Sequence, residues 1–150
     1  MNLLDVLDKD LVKVPLQSTT KMAVIEELID TLVAVKGYSQ AQHEEILDVI
    51  LARERLGSTG IGGGIAIPHA KSEVVDEIVM VLGVSAEAID FDSPDGELSK
   101  IFFLVIAPNR QVSAHVELLA SIARTCSSKV FRRLVENAKS SEEVIQLLTE

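Results

Sequence analysis

From Ile101 to Ala107 the chain reads IFFLVIA, an apolar run with no polar interruption, closed by Pro108. A strand with one wet face alternates apolar and polar residues. An unbroken run suits a strand buried on both faces, and such a strand needs covering layers above and below its sheet. A second β-prone run, Ile78 to Val84, precedes it, and the SPDG stretch from Ser93 to Gly96 supplies a turn signal between the two. A shorter β-prone run, Leu11 to Val14, ends at Pro15.

Helices for the covering layers are legible on either side of these runs. Polar N-cap candidates at Gln17 to Thr20 open a helix from Lys21 to Lys36. Its Met22, Ile25, Leu28, Ile29 and Leu32 fall at helical spacing, and Gly37 stands where a left-handed cap belongs. Ser39 with Gln42 reads as a capping box, and Ile46, Leu47 and Ile50 carry a second stripe toward Arg53. After the central run, Ser113 to Arg124 presents Val116, Leu119, Ala120 and Ala123 on one face. Lys129 to Ala138 follows a Ser-Ser cap, and Ser140 with Glu143 opens a last helix containing Val144, Ile145 and Leu148. Interspersed helices and strands predict an α/β three-layer sandwich, a mixed sheet flanked by helices on both faces. The 150 residues suffice for one such domain, spanning 1–150.

Charge and composition narrow the function classes. A net charge of −9 without a Lys/Arg cluster argues against binding nucleic acid. Cys126 is alone, which excludes an intrachain disulfide and multi-cysteine zinc sites and fits a reducing compartment. The N-terminus, MNLLDVLDKDLVKV, places acidic residues where a signal peptide needs a basic flank. No run approaches about 18 apolar residues, so a soluble cytoplasmic protein without membrane insertion is expected. With no Trp, one Tyr and four Phe, base-stacking platforms are disfavoured.

The chemistry concentrates in RERLGSTGIGGGIAIPHAK, Arg53 to Lys71. No Gly-Lys-Ser/Thr follows the glycines, as a P-loop requires, and GxGxxG fails because Ile65 occupies its last position. Gly60, Gly62, Gly63 and Gly64 either bend the chain and nothing more, or turn backbone N–H groups toward a small anion. Beyond them, rigid Pro68 fixes His69 at the end of a short apolar strand. Imidazole titrates near neutrality, so His69 is a candidate nucleophile; its rival reading is a strand-end histidine bonded to backbone. Arg53 ends the helix that leads into the loop and could clamp phosphate oxygens in a fork, or simply favour the helix's negative end. His115 starts the helix after the central strand, where it could face a cleft or solvent. No HExxH or HxxxH pair supports a metal site, and no GxSxG elbow supports a serine hydrolase. His43 reads as solvated surface and Cys126 as a structural thiol.

Arg53-Glu54, the string GSTGIGGGIAIPHAK, the Asp95-Gly96 turn, the strand ending in Pro108, and His115 followed by LLASIAR together resemble the enzyme IIA domains of the mannitol/fructose class of the bacterial phosphotransferase system. The resemblance covers nearly the whole chain, and GSTGIG before AIPH is most similar to the nitrogen-type members. Gly63 and Ala70 stand where relatives often have Asn and Gly. The resemblance implies a phosphocarrier that binds no cofactor and draws indirectly on phosphoenolpyruvate. His69 would accept a phosphoryl group through Nε2 from a histidine-phosphocarrier protein charged by enzyme I. Arg53 and His115 would stabilise the phosphoryl oxygens, with amides of Gly60, Gly62, Gly63 and Gly64 as further contacts. Downstream it implies a regulatory, nitrogen-type role through target proteins, the alternative being sugar transport, with the group passed to an enzyme IIB cysteine for fructose or mannitol.

Overall fold

The apolar run becomes the inner strand of the sheet. In the computed structural model, which describes residues 1–150, the chain forms α1 (Leu3–Val6), a 3-10 turn (Lys9–Leu11), β1 (Val12–Leu16), α2 (Lys21–Lys36) and α3 (Gln40–Arg55). There follow β2 (Gly60–Gly62), β3 (Ile65–Ala66), β4 (His69–Lys71), β5 (Val79–Ile89), β6 (Ser99–Ala107), α4 (Val112–Thr125), α5 (Lys129–Glu136) and α6 (Ser141–Thr149). The strand order is β1-β5-β6-β3-β2, with β4 also on β6. β5 and β6 are antiparallel, β1 runs parallel to β5, and β3 and β4 both run parallel to β6. The sheet is therefore mixed, and β6 is paired on both edges.

Alternation along β6 divides the interior in two. Ile101, Phe103, Val105 and Ala107 pack with Leu118 and Ile122 of α4, Val135 of α5 and Val144 and Leu148 of α6. Phe102, Leu104 and Ile106 pack on the opposite face with Ile25, Leu28, Ile29 and Leu32 of α2 and Ile46 and Ile50 of α3. Each side chain of this size contributes about 1.5–3 kcal/mol when fully buried, which is why the run admits no polar residue. The expected three-layer sandwich is the observed one.

Helix ends follow their caps. Thr20 and Ser39 accept the Ala23 and Gln42 amides, Gln42 returns a bond to the Ser39 amide at 2.8 Å, and Gly37 closes α2 with φ 71°. At α6 the capping box is half made. Ser140 accepts the Glu143 amide, but the Glu143 carboxylate turns to the Lys139 amide.

Four sequence expectations need correction. Val24, not Met22, completes the buried stripe of α2, and Met22 is exposed. On α4 the buried face is His115, Leu118, Ser121 and Ile122, while Val116, Ala120 and Ala123 face outward. Counting apolar residues failed there because two inward positions are polar: Ser121 receives the Leu3 amide at 2.9 Å, which seats α1 on α4. β1 continues through Pro15, because on an edge strand a missing N–H breaks no ladder bond. His43 is not solvated surface. Its Nε2 meets Asp30 Oδ1 of α2 at 2.8 Å, tying α3 to its neighbour.

Candidate functional site

Pro68 decides where His69 sits. β3 pairs with Ile101 and Phe102 and β4 with Val105 to Ala107, so one line of chain meets β6 twice, with Ile67 and Pro68 between. The Pro68 carbonyl still accepts the Val105 amide at 2.9 Å, which keeps the two segments collinear. His69 opens β4 directly beyond.

Its ring is half-buried, and Nδ1 lies 2.7 Å from the Ile67 carbonyl. A carbonyl can only accept, so Nδ1 carries the proton and Nε2 the free lone pair. Burial is the largest influence on this imidazole and lowers its pKa; the Ile67 carbonyl works against that, Arg53 adds to it, and Glu54 opposes it. The net direction is downward, so the lone pair persists below the usual histidine range.

A cleft of about 490 Å³ opens over the ring. Val49, Ala52, Arg53 and Leu56 form its α3 side, His69, Ala70 and Lys71 its floor, and His115, Val116 and Leu119 its α4 side. The structure thus brings Arg53, His69 and His115 together. His115 is buried, with its ring centroid 5.6 Å from that of His69 and the planes at 81°. Burial, then the neighbouring His69 and Lys71, pushes its pKa down to about 4, so it is neutral at pH 7. Arg53 donates from Nη1 to the Gly57 carbonyl at 2.8 Å, leaving four of the five guanidinium N–H groups for other acceptors.

The glycines lie elsewhere, which corrects the expectation that their amides face the same anion. The Gly64 carbonyl accepts the Lys100 and Ile101 amides, whereas His69 pairs with Val105, roughly 15 Å along β6 at about 3.3 Å per residue. The Gly60 amide donates to Ser58 Oγ and the Gly63 amide to Asp95 Oδ2 at 3.0 Å, so the anion met by the loop is the chain's own carboxylate. Gly62, Gly63 and Gly64 all have positive φ, which the tight β2–β3 turn requires. Gly60 is needed for a different reason: a Cβ there would stand 2.1 Å from Ser93 Oγ.

Two residues were missed as functional candidates. Lys71 lines the cleft, and a period-2 reading of β4 would have placed it on the same side as His69. Glu54 has a side chain only 6% exposed, and it accepts the Thr59 amide and hydroxyl as well as Lys21 Nζ at 3.0 Å. Nothing in the spacing of Glu54 and Thr59 signals that pairing. Cys126, as expected, is a buried thiol, its pKa pushed up to about 12 by burial.

The cleft's lining runs against the charge of the chain as a whole. With a net charge of −9, the chain lines this cleft with Arg53, Lys71 and two imidazoles and with no carboxylate. It sets the Nε2 lone pair of a neutral imidazole near two cations, Arg53 and Lys71, an arrangement chemically suited to taking up and holding a phosphoryl group.

The chain is 34% identical to a fructose-specific EIIA component of the phosphotransferase system from Haloferax volcanii, over 87% of this chain and 84% of that protein. It is 29% identical to a nitrogen regulatory protein from Klebsiella oxytoca, over 100% and 91%. The crystal structure of the nitrogen regulatory protein IIA-Ntr from Neisseria meningitidis superimposes with a TM-score of 0.86 at 29% identity, covering 96% of this chain and 97% of that one. The model of the phosphoenolpyruvate-dependent sugar phosphotransferase system EIIA 2 family matches residues 5–150, and this chain belongs to that family of phosphocarriers.

Proposed function

We propose that His69 is the residue that carries the phosphoryl group, receiving it through Nε2 from a histidine-phosphocarrier protein that enzyme I charges from phosphoenolpyruvate. The observation that carries this reading is the Nδ1–H bond to the Ile67 carbonyl, which assigns the lone pair to Nε2 in a cleft furnished with Arg53 and Lys71. As the lone pair forms its bond to phosphorus, the bond to the donor's ring nitrogen breaks and that electron pair returns to the donor. The Nδ1 proton stays in place, and the carbonyl stabilises the positive charge that develops on the ring. Arg53 offers paired N–H groups to the equatorial oxygens, and neutral His115 offers one hydrogen-bond donor without a full charge. The transfer proposed calls on no bound metal or cofactor.

Downstream, the reading supported best is regulatory: phosphorylation at His69 adds negative charge to a cleft with an apolar rim and so changes which proteins dock there. Support comes from the GSTGIG loop and the similarity to nitrogen regulatory proteins along nearly the full length. A second reading has an observation of its own, the similarity to a fructose-specific EIIA component. On that reading the group passes to an enzyme IIB cysteine.

The test is incubation with phosphoenolpyruvate, enzyme I and the histidine-phosphocarrier protein, followed by intact mass and peptide mapping under mildly alkaline conditions. One acid-labile phosphoryl group on His69 is expected, and none on His69→Ala. Labelling of that variant would show a different acceptor. Efficient passage to a purified enzyme IIB with sugar phosphorylation would favour transport over regulation.

A further inference from the structure

A largely enclosed carboxylate, its side chain 6% exposed, lies next to Arg53 and does not line the cleft. Glu54, at the end of α3, turns away from the cleft and receives the Thr59 amide, with oxygens at 3.2 and 3.3 Å, the Thr59 hydroxyl, and Lys21 Nζ. Lys21 in turn lies over the Phe91 ring at 4.7 Å and reaches Asp92 at 3.6 Å. A carboxylate this enclosed destabilises the fold unless it is paired and hydrogen-bonded, and Glu54 is both.

The partners of Thr59 make this more than a local anchor. Thr59 is itself buried, and its carbonyl accepts the Ile67 amide at 3.0 Å. The carbonyl of the same Ile67 accepts the His69 Nδ1 proton at 2.7 Å. An unbroken run of contacts therefore leads from Lys21 through Glu54, Thr59 and Ile67 to the imidazole. Arg53 holds the same loop through the Gly57 carbonyl, so two adjacent residues tie down the segment leaving α3 at two points.

We propose that Glu54 is a positioning residue for phosphoryl transfer: by fixing Thr59 it holds the Ile67 carbonyl where it captures the Nδ1 proton, and so keeps Nε2 as the nucleophile. This rests on the reading of His69 as the acceptor. Released from Thr59, Ile67 would shift, the Nδ1 bond would lengthen, and the ring would sample the tautomer whose Nε2 is blocked by a proton. The Glu54 charge acts in the same sense, because it opposes the effect of Arg53 and helps the ring accommodate the positive charge formed on transfer.

The experiment joins imidazole ¹⁵N–¹H spectra to single-turnover labelling by the phosphorylated donor protein at varied donor concentration, for the wild type, Glu54→Gln, Glu54→Ala, Thr59→Val and Thr59→Ser. The wild type should show the Nδ1–H tautomer. Glu54→Ala and Thr59→Val should show a tautomer mixture and a saturating rate lowered about tenfold or more, with the half-saturating donor concentration unchanged. Thr59→Ser should restore both readouts relative to Thr59→Val. A wild-type tautomer and saturating rate in Glu54→Ala would overturn the proposal; if that variant does not fold, the same result in Glu54→Gln and Thr59→Val would do so. An unlabelled wild type would refute the acceptor assignment instead, while the tautomer comparison still tests Glu54.

Discussion

The rings of His69 and His115 meet edge to face, centroids 5.6 Å apart and planes at 81°, with a protonated form disfavoured on both. Two imidazoles in that relation cannot both be charged without repulsion, and burial already disfavours the charge on each. The pair is held neutral at pH 7, the state that the proposed transfer needs of both rings.

Stability should therefore fall in acid. His115 has its folded pKa lowered from 6.5 to about 4, so between those values the unfolded chain binds a proton that the folded chain refuses. The contribution is fully present above pH 6.5, declines as pH falls, and levels off below about 4. At about 1.4 kcal/mol per pH unit the loss is on the order of 3 kcal/mol, and His69 adds to it in the same direction. Urea unfolding across this range should show the decline, and His115→Gln should flatten it. An unchanged slope in that variant would assign the effect to other groups.

Labelling of His69 should hold its rate to lower pH than a free histidine would allow, because burial keeps Nε2 unprotonated. Initial rates against pH, with the donor's own titration measured on another acceptor, check this. A rate that falls by half at or above pH 6.5 would contradict the buried-ring geometry.

Arg53→Lys keeps the charge but loses the fork. Removing a preorganised transition-state donor costs about 10²–10³ in rate, so a loss of about a hundredfold in saturating labelling rate is expected, with the His69 tautomer retained. A rate within a factor of about three of wild type would confine Arg53 to holding Gly57.

Gly60→Ala isolates a packing effect, since Gly60 is not among the positive-φ residues and the new Cβ meets Ser93 Oγ at 2.1 Å. The expected cost is about 1–2 kcal/mol, most of it recovered when Ser93→Ala is added. Additive effects in this cycle would mean that the two residues do not touch.

Asp95→Ala should free the tip of the β2–β3 turn, speeding amide exchange at Gly63 and Glu97, whose N–H groups the carboxylate accepts. Labelling of His69 should be unaffected. A slower rate would return the glycine amides to the reacting centre.

Much of this was legible in the chain itself. The IFFLVIA run required a doubly covered strand and found one, and the bounds of α2 followed from Thr20 and Gly37. His69, Arg53 and His115 converge as their positions at element ends implied. The face of α4 was misread because His115 and Ser121 are polar residues pointing inward while Val116 is an apolar one pointing out, over the cleft. The glycines were misplaced for another reason. Sequence proximity put them beside His69, whereas Pro68 lets one extended line of chain run along β6 and carries the turn to its far end. Glu54 and Thr59 form a contact across a loop, and nothing in residue order announces such a contact.

The cleft between α3 and α4 also limits how a relay through this protein can run in time. On the proposed reading His69 is reached through this one mouth, and whatever delivers the group occupies the space from which it must later be collected. Supplier and recipient then compete for the same doorway, so turnover proceeds in alternating strokes. An excess of supplier would slow the relay that it feeds.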